Sequence, residues 1–158
     1  MNLLFMICIQ KYKKIFSCID NTSLGGDDTQ ERIDNLCSSS LQMTDPERGI
    51  SHVAAVCVYP VFVRQAKARL EASGIKVASV AGAFPSGQSP IEVKIQEVKY
   101  ALEEGADEID MVISRGAFLE GKYTQVQSEV EAIKNACGDK TLKVILETGE
   151  LQSAENIY

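Results

Sequence analysis

The sequence predicts an α/β fold in which repeated strand–helix units form a parallel sheet, and three observations support this prediction. Five short apolar runs alternate with four amphipathic stretches of helical periodicity. The units repeat at roughly 25 to 35 residues, which is the length of a strand–helix–strand crossover. One run is nearly all apolar, as is typical of a strand covered on both faces. A barrel of eight units cut short after its fifth strand and a complete five-stranded doubly wound sheet both fit this order.

The five predicted strands are short apolar runs bounded by turn-forming residues. They are Cys18–Thr22, Val53–Tyr59, Lys76–Phe84, Glu108–Ile113 and Leu142–Thr148. The second is the run that is nearly all apolar, so we expect it to be buried on both faces of the sheet. After the fifth strand, Gly149–Tyr158 would begin another helix.

The four predicted helices carry apolar residues at spacings of three and four positions. Their stripes are Ile33, Leu36 and Cys37; Val63, Ala66 and Leu70; Ile91, Ile95, Val98 and Leu102; and Val126, Val130, Ile133 and Cys137. Pro60 suits the first position of the second helix. Ser89–Glu92 combines a capping box with a first-turn proline and predicts the start of the third. Gly74, Gly105 and Gly138 are placed to end the last three helices.

Two connecting segments frame the first helix. Gly25–Asp28 predicts a turn, and its two aspartates suit the start of a helix. Ser38–Gly49, which contains Pro46, predicts a polar loop that leads to the second strand.

The chain begins with an apolar run, Leu3–Ile9, that is followed by three lysines. A secretory signal carries its basic residues before the apolar core, which is the reverse of this order. The run is also far shorter than the roughly 20 residues of a membrane span. We therefore expect residues 1–17 to be a buried or poorly ordered lead-in, ahead of a single domain at residues 18–158.

Composition and charge limit the classes of function. The 158 residues are enough for one domain with a sizeable core. A net charge of -6 argues against nucleic acid and against an anionic membrane surface as partners. The five cysteines are odd in number and include no C-x-x-C, which favours reduced thiols in a cytoplasmic protein. His52 is the only histidine, so a histidine triad or a zinc site is disfavoured.

Polar residues within the apolar runs are the candidates for chemistry, because sites of parallel α/β folds form at the carboxyl ends of the strands. Asp110 is the clearest, since a buried carboxylate is costly unless it is paired. It is either a structural acid or an acid that transfers protons or tunes a lysine. Asp20 and Thr22 raise the same question on the first strand, where turn chemistry is the simpler explanation. Cys57 is by type a small core residue, and Lys143 is either a solvated strand-end lysine or a buried amine.

The sequence indicates no nucleotide cofactor and no metal. Gly25 and Gly26 precede two aspartates, which repel phosphate. Gly82 and Gly87 flank a proline without the spacing of a P-loop or of a dinucleotide fingerprint. The cysteines and the histidine show no metal-ligand spacing.

Six segments of the chain carry a combined signature: Cys18–Leu24, Val53–Pro60, Val77–Val80, Phe84–Gln88, Ala106–Asp110 and Leu142–Leu151. Together, and in this order, they resemble the deoxyribose-phosphate aldolase family in its longer eukaryotic-type form. The resemblance implies a (β/α)8 TIM barrel, truncated here after the fifth strand. It also implies a class I aldolase that reversibly cleaves 2-deoxyribose 5-phosphate to glyceraldehyde 3-phosphate and acetaldehyde. A lysine forms a Schiff base with the substrate, so no metal or organic cofactor is needed.

The resemblance further implies roles for individual residues. Asp110 matches a strand-four aspartate that helps to activate the lysine site and shuttles protons through water. Asp20 and Thr22 match polar residues that face the barrel mouth, Cys57 matches a pocket-lining cysteine, and Lys143 matches a lysine of the interior polar network. The imine-forming lysine belongs to the sixth strand of the family, its lysine partner to the seventh, and the phosphate site lies later still. None of these positions falls within the 158 residues.

The leading hypothesis is therefore a fragment of an aldolase. The complete protein would bind a sugar phosphate and could form homo-oligomers, whereas the fragment alone would have no aldolase activity. One alternative is a non-catalytic interaction protein that pairs through its open edge strands. Another is an independent flavodoxin-like domain, whose sheet order would be 2-1-3-4-5. Within the family signature Asn21 stands where leucine is usual, and we expect this change to loosen packing.

Overall fold

The structure, a computed structural model, describes residues 3–45, 47 and 49–158. Its sheet has five strands: β1 (Asp20–Thr22), β2 (Ala55–Val58), β3 (Lys76–Val80), β4 (Glu108–Val112) and β5 (Thr141–Ile145). All neighbours are parallel, and the order across the sheet is β1-β2-β3-β4-β5. The staves of a barrel follow this order. The alternative of a flavodoxin-like sheet is wrong, because its order would place the second strand at the edge.

The described residues form six α-helices: α1 (Leu3–Phe16), α2 (Gln30–Gln42), α3 (Val63–Arg69), α4 (Ile91–Glu103), α5 (Arg115–Leu119) and α6 (Tyr123–Cys137). The four helices predicted from apolar periodicity are α2, α3, α4 and α6. Helix α5 was not predicted, since five residues are too few to show a period. Within the described part of the chain, no helix has the length and apolar character needed to cross a membrane.

The sequence prediction was wrong at several element ends. Helix α2 continues to Gln42, so Ser38–Gly49 is not a loop throughout, and Pro46 lies outside the described residues. The capping box at Ser89–Glu92 does not form, because Pro90 is the N-cap residue of α4 and no side chain caps it. Residues 149–158, which were expected to begin another helix, form no α-helix. Thr148–Glu150 is a short 3-10 turn, and bends and turns follow it.

The structure describes residues 3–17 of the expected lead-in only in part. The backbone of Leu3–Phe16 is helical, and Phe16 packs against the main core. Tyr12 and Ile15 are exposed. The side chains of residues 3–9 lie outside what the structure describes, so the burial of the apolar run stays a prediction.

Side chains on the two faces of the sheet alternate between a large outer core and a smaller inner one. The outer face packs against the helices and carries larger apolar residues, which include Val56, Val58, Val77, Ile109 and Met111. The inner apolar cluster consists of small residues: Ala55, Cys57, Ala78 and Val80. A strand presents successive side chains to opposite faces, so this division follows directly from the sequence. Small inner residues leave room for the sheet to curve inward.

One contact demonstrates that the sheet is strongly curved. Asp20 lies on β1 and Lys143 lies on β5, at opposite edges of the sheet, yet their side chains form an ion pair. In a flat sheet, four strand spacings would separate these edges by about 19 Å, which is more than the two side chains can span. The strands therefore curve around a concave face, as the staves of a barrel do, and the predicted α/β barrel fold is confirmed for the five strands described.

The loop after β3 depends on a glycine at a close backbone approach. Gly87 has φ +70°, and a Cβ atom placed there would lie 2.8 Å from the carbonyl oxygen of Ile113. We expect Gly87→Ala to lower the free energy of unfolding by about 2–3 kcal/mol, from backbone strain and from this clash. Gly121→Ala is the matched control, because Gly121 has φ +75° but open space around its Cβ position. It should cost only about 1 kcal/mol. Equal losses in urea denaturation of the two variants would contradict the clash.

Candidate active site

Lys143 is the centre of a charged cluster on the concave face. Its ammonium donates a hydrogen bond to Asp20 of β1. Its Nζ atom lies 3.1 Å from Oδ1 of Asp110 and 3.3 Å from Oε2 of Glu108, both on β4. The parallel register places Asp110 directly beside Lys143 on β5. We call these four residues the Lys143 cluster; it combines three carboxylates with one ammonium.

The carboxylates keep Lys143 protonated. Burial of the side chain disfavours the charged form, but the hydrogen bond to Asp20 and the attraction to Asp110 outweigh it and raise the pKa of Lys143 above its ordinary value. An amine must be neutral to attack a carbonyl carbon. Lys143 is therefore a fixed cation of the site and is not suited to act as a nucleophile.

Asp110 has the opposite tendency. Burial raises the pKa of its carboxyl group, and the nearby carboxylates of Asp20 and Glu108 add to that effect, while Lys143 opposes it. Its Oδ1 atom is buried and has no hydrogen-bond partner among the described residues, although it lies within ion-pair distance of Lys143. A buried carboxyl group with a raised pKa and an unpartnered oxygen can take up and release a proton.

Cys57 and Thr22 lie beside the cluster in different ways. The Sγ atom of Cys57 is 3.8 Å from Oδ2 of Asp110, and the side chain is buried. Burial, followed by the charge of Asp110, raises the pKa of the Cys57 thiol to about 12, so the thiol stays neutral. The hydroxyl of Thr22 donates to the carbonyl oxygen of Asp20 at 3.0 Å and is exposed. The structure thus joins Cys57 to the cluster through Asp110 and leaves Thr22 at its border.

Glu108 is the member of the cluster that the sequence analysis did not select. It lies two residues before Asp110 on β4 and is therefore on the same face of the sheet. The signal that could have found it is this two-residue spacing, since both acids belong to one predicted strand. At the start of a strand, a glutamate was more simply explained as a solvated end residue.

Loops at the carboxyl ends of β3, β4 and β5 are tied together by Arg115. Its guanidinium donates to the carbonyl oxygens of Pro85 and Ser86, at 3.2 and 3.4 Å, and it forms an ion pair with Glu147. This is the end of the sheet where parallel α/β proteins place their sites. Across residues 3–45, 47 and 49–158, no group of three or more His, Cys, Asp or Glu side chains could hold a metal ion.

Curved parallel staves with a lysine held by carboxylates on their concave face define a protein of the barrel-forming α/β class. The chain belongs to the DeoC/LacD family of aldolases, whose profile matches residues 15–156. The resemblance stated from the six segments is thereby confirmed at the level of the family.

Relatives and solved structures agree with this assignment. The chain is 42% identical over 158 residues to a deoxyribose-phosphate aldolase of Bos taurus and 43% identical over 139 residues to one of Metamycoplasma hominis. Among solved structures, it superposes on QR15, described as an aldolase, with a TM-score of 0.79 and 31% identity, covering 90% of this chain and 59% of the other. A tetrameric deoxyribose phosphate aldolase from Aeropyrum pernix gives a TM-score of 0.71 and 31% identity, with 92% and 57% coverage.

The matches cover unequal shares of the two partners. The bovine alignment includes 92% of this chain but 49% of the relative, and the M. hominis alignment includes 88% and 60%. The chain therefore spans about half the length of relatives such as the bovine protein. Residues of such a relative that lie outside this half have no counterpart in the structure described above.

Proposed function

We propose that this chain carries the acidic half of a deoxyribose-phosphate aldolase site. The observation that supports it best is the Lys143 cluster, in which Asp20, Asp110 and Lys143 meet on the concave face of a chain from this aldolase family. The substrate of the complete site would be 2-deoxyribose 5-phosphate, which it would cleave to glyceraldehyde 3-phosphate and acetaldehyde.

The proposed chemistry proceeds through a Schiff base. A neutral lysine adds to the aldehyde carbon of the substrate, one proton is taken up and water leaves, which gives a protonated imine. The imine accepts the electron pair of the carbon–carbon bond as that bond breaks and the neighbouring hydroxyl loses its proton. Asp110 suits the transfer of this proton through water, since its Oδ1 atom is buried and unpartnered. Lys143 supplies a fixed positive charge, and the imine-forming lysine would come from a sixth strand.

The proposal predicts that the 158-residue chain forms no imine by itself. Borohydride treatment with deoxyribose 5-phosphate should leave its mass unchanged, because Lys143 is held as a cation by carboxylates. The bovine relative, treated in the same way, is the positive control and should gain one reduced adduct. A covalent adduct on the isolated chain, located on Lys143 by peptide mapping, would show that Lys143 is a nucleophile after all.

A chimera tests the acidic half directly. We expect residues 15–156 to support aldolase activity when they replace the matching half of the bovine relative. In that chimera, Asp110→Asn should lower kcat by about 10²- to 10⁴-fold, which is the usual contribution of a proton-transferring group. Glu104→Gln is the matched control, because Glu104 pairs with Arg64 at the end of α4 and lies outside the cluster. An inactive but folded chimera would count against the proposed function.

The remaining features of the proposal follow from this chemistry. Imine catalysis needs no metal and no organic cofactor. We propose that residues 18–158 are a partial barrel and residues 1–17 its lead-in. The complete protein would bind a sugar phosphate in the cytoplasm as part of deoxyribonucleotide breakdown. A homo-oligomer is proposed by analogy with the A. pernix protein, which is tetrameric.

A second candidate function is a non-catalytic interaction protein. The observation that favours it is that β1 and β5 end the described sheet with one neighbour each. Unpaired strand edges are templates for pairing with another chain. Sedimentation of the purified chain distinguishes the two: concentration-dependent self-association or stable capture of a complementary half would favour an interaction role, and a non-associating chain would oppose it.

A further inference from the structure

Glu108 is held between two lysines that reach it from different strands. Its Oε1 atom lies 2.8 Å from Nζ of Lys76, the first residue of β3, and its Oε2 atom lies 3.3 Å from Nζ of Lys143 on β5. The Glu108 side chain is only 12% exposed, whereas that of Lys76 is 55% exposed. Glu108 therefore connects the interior of the concave face to a lysine near the amino ends of the strands.

Glu108 and Asp110 compete for the same ammonium. They lie on the same face of β4, and both approach Lys143, which donates its hydrogen bond to Asp20 on the opposite edge. Two carboxylates, Asp20 and Glu108, thus share the attraction of Lys143 with Asp110. The Oδ1 atom of Asp110 is left with attraction to the charge at 3.1 Å and without a hydrogen bond.

We propose that Glu108 is a positioning residue of the site: it shares the Lys143 ammonium with Asp110 at a similar distance, and so weakens the hold of that ammonium on Oδ1 of Asp110, which can then accept a proton. This role rests on the proposed aldolase function, in which Asp110 transfers protons. Lys76 anchors Glu108 from outside, since its Nζ atom donates a hydrogen bond to Oε1 of Glu108 at 2.8 Å. The charged or titratable groups that face Lys143 come from all four other strands: Asp20 from β1, Cys57 from β2, Lys76 from β3, and Glu108 and Asp110 from β4.

Removal of the Glu108 charge should change Asp110 in a definite direction. In Glu108→Gln, one nearby negative charge disappears, and Lys143 is released to bond with Asp110. Both changes stabilise the ionised form of Asp110. The pKa of Asp110 should therefore fall. Lys76→Met should act in the opposite sense, because it removes a positive charge and frees Glu108 to attract Lys143 more strongly.

The experiment is a carboxyl NMR titration of the whole 158-residue chain labelled with 13C-aspartate, with the Asp110 signal assigned by its loss in Asp110→Asn. We expect the Asp110 midpoint to move to lower pH in Glu108→Gln and to higher pH in Lys76→Met. Glu104→Gln, a glutamate of similar exposure at the end of α4, should leave it unchanged. An unmoved midpoint, or one that moves the other way, in a folded Glu108→Gln or Lys76→Met protein would overturn the proposal.

Two features keep this test decisive. If Glu108→Gln fails to fold, Lys76→Met decides alone, since Lys76 is largely exposed and its replacement leaves the interior intact. The titration also needs no aldolase activity. An inactive chimera with the expected midpoint shifts would count against the proposed function alone, and an active chimera with unmoved midpoints would count against the role of Glu108 alone.

Discussion

Replacement of Lys94 by methionine is expected to lower the free energy of unfolding by about 3–5 kcal/mol, because it leaves a carboxylate without its buried partner. Lys94 lies on α4 and its side chain is only 1% exposed. Its Nζ atom donates to Oε2 of Glu129 on α6 at 2.9 Å and to the Ser114 hydroxyl at 2.8 Å. Ser114 in turn donates to the same Glu129 oxygen at 2.5 Å. The three groups join two helices to the loop that follows β4.

Matched variants separate the loss of the pair from other effects of substitution. Lys122→Met removes a lysine whose ion pair with Glu120 is exposed, and it should change stability by less than about 1 kcal/mol. The double change Lys94→Met with Glu129→Leu should recover part of the loss, since no unpaired charge then remains. Urea unfolding measures all three variants. A Lys94→Met protein as stable as the Lys122→Met protein would show that the buried pair contributes nothing.

Individual polar residues of the site could be predicted from the sequence, but the contact between Asp20 and Lys143 could not. Asp110 and Lys143 each stood out as a polar residue within an apolar run, and parallel strands in consecutive order bring them side by side. The contact of Lys143 with Asp20 depends on the curvature of the whole sheet. Curvature is a property of five packed strands together, so no single segment carries a signal for it.

Lys94 illustrates what helical periodicity misses. The predicted stripe of α4 contained Val98, which is fully buried, but not the other two fully buried positions, Lys94 and Ala101. A hydrophobicity pattern predicts that a lysine faces solvent, because lysines are rarely fully buried. Its burial is favourable only because two polar partners reach it from distant parts of the chain. Ser114 lies 20 positions further along, in the loop after β4, and Glu129 lies 35 positions further along, on α6.

Asn21 shows how a local departure from the family signature is compensated. We expected it to loosen packing where the family has leucine. Its side-chain amide donates to the hydroxyl of Ser40 on α2 at 2.8 Å, and Ser40, which is fully buried, donates to the carbonyl oxygen of Leu36. A polar partner on the facing helix satisfies the amide, so the polar group itself is supported, and the looser packing stays a prediction.

Replacement of Lys143 by methionine is the second change with a large expected effect. Methionine preserves most of the apolar stem but leaves the three carboxylates of Asp20, Glu108 and Asp110 without their shared cation. We expect a loss of about 2–4 kcal/mol near pH 8, less than for Lys94 because about a third of the Lys143 side chain is exposed and solvent screens its charge. Lys143→Arg keeps the charge and should lose less than half as much.

The size of this loss should depend on pH, with a sign that follows from the proton balance. Because the pKa of Lys143 is raised in the folded state, its contribution to stability is fully present at any pH below the pKa of a lysine in the unfolded chain. That contribution is lost only as the pH rises through the pKa of Lys143 in the folded chain. Between pH 5 and pH 8 the wild-type ammonium is therefore constant. In Lys143→Met, Glu108 and Asp110 lose the positive charge that lowers their pKa values, so these values rise and the folded state binds more protons than the unfolded state. Its stability then increases as the pH falls. Urea unfolding of both proteins should give a smaller difference at pH 5 than at pH 8, and a difference that is equal at the two pH values would mean that Lys143 is not the counter-charge of the cluster.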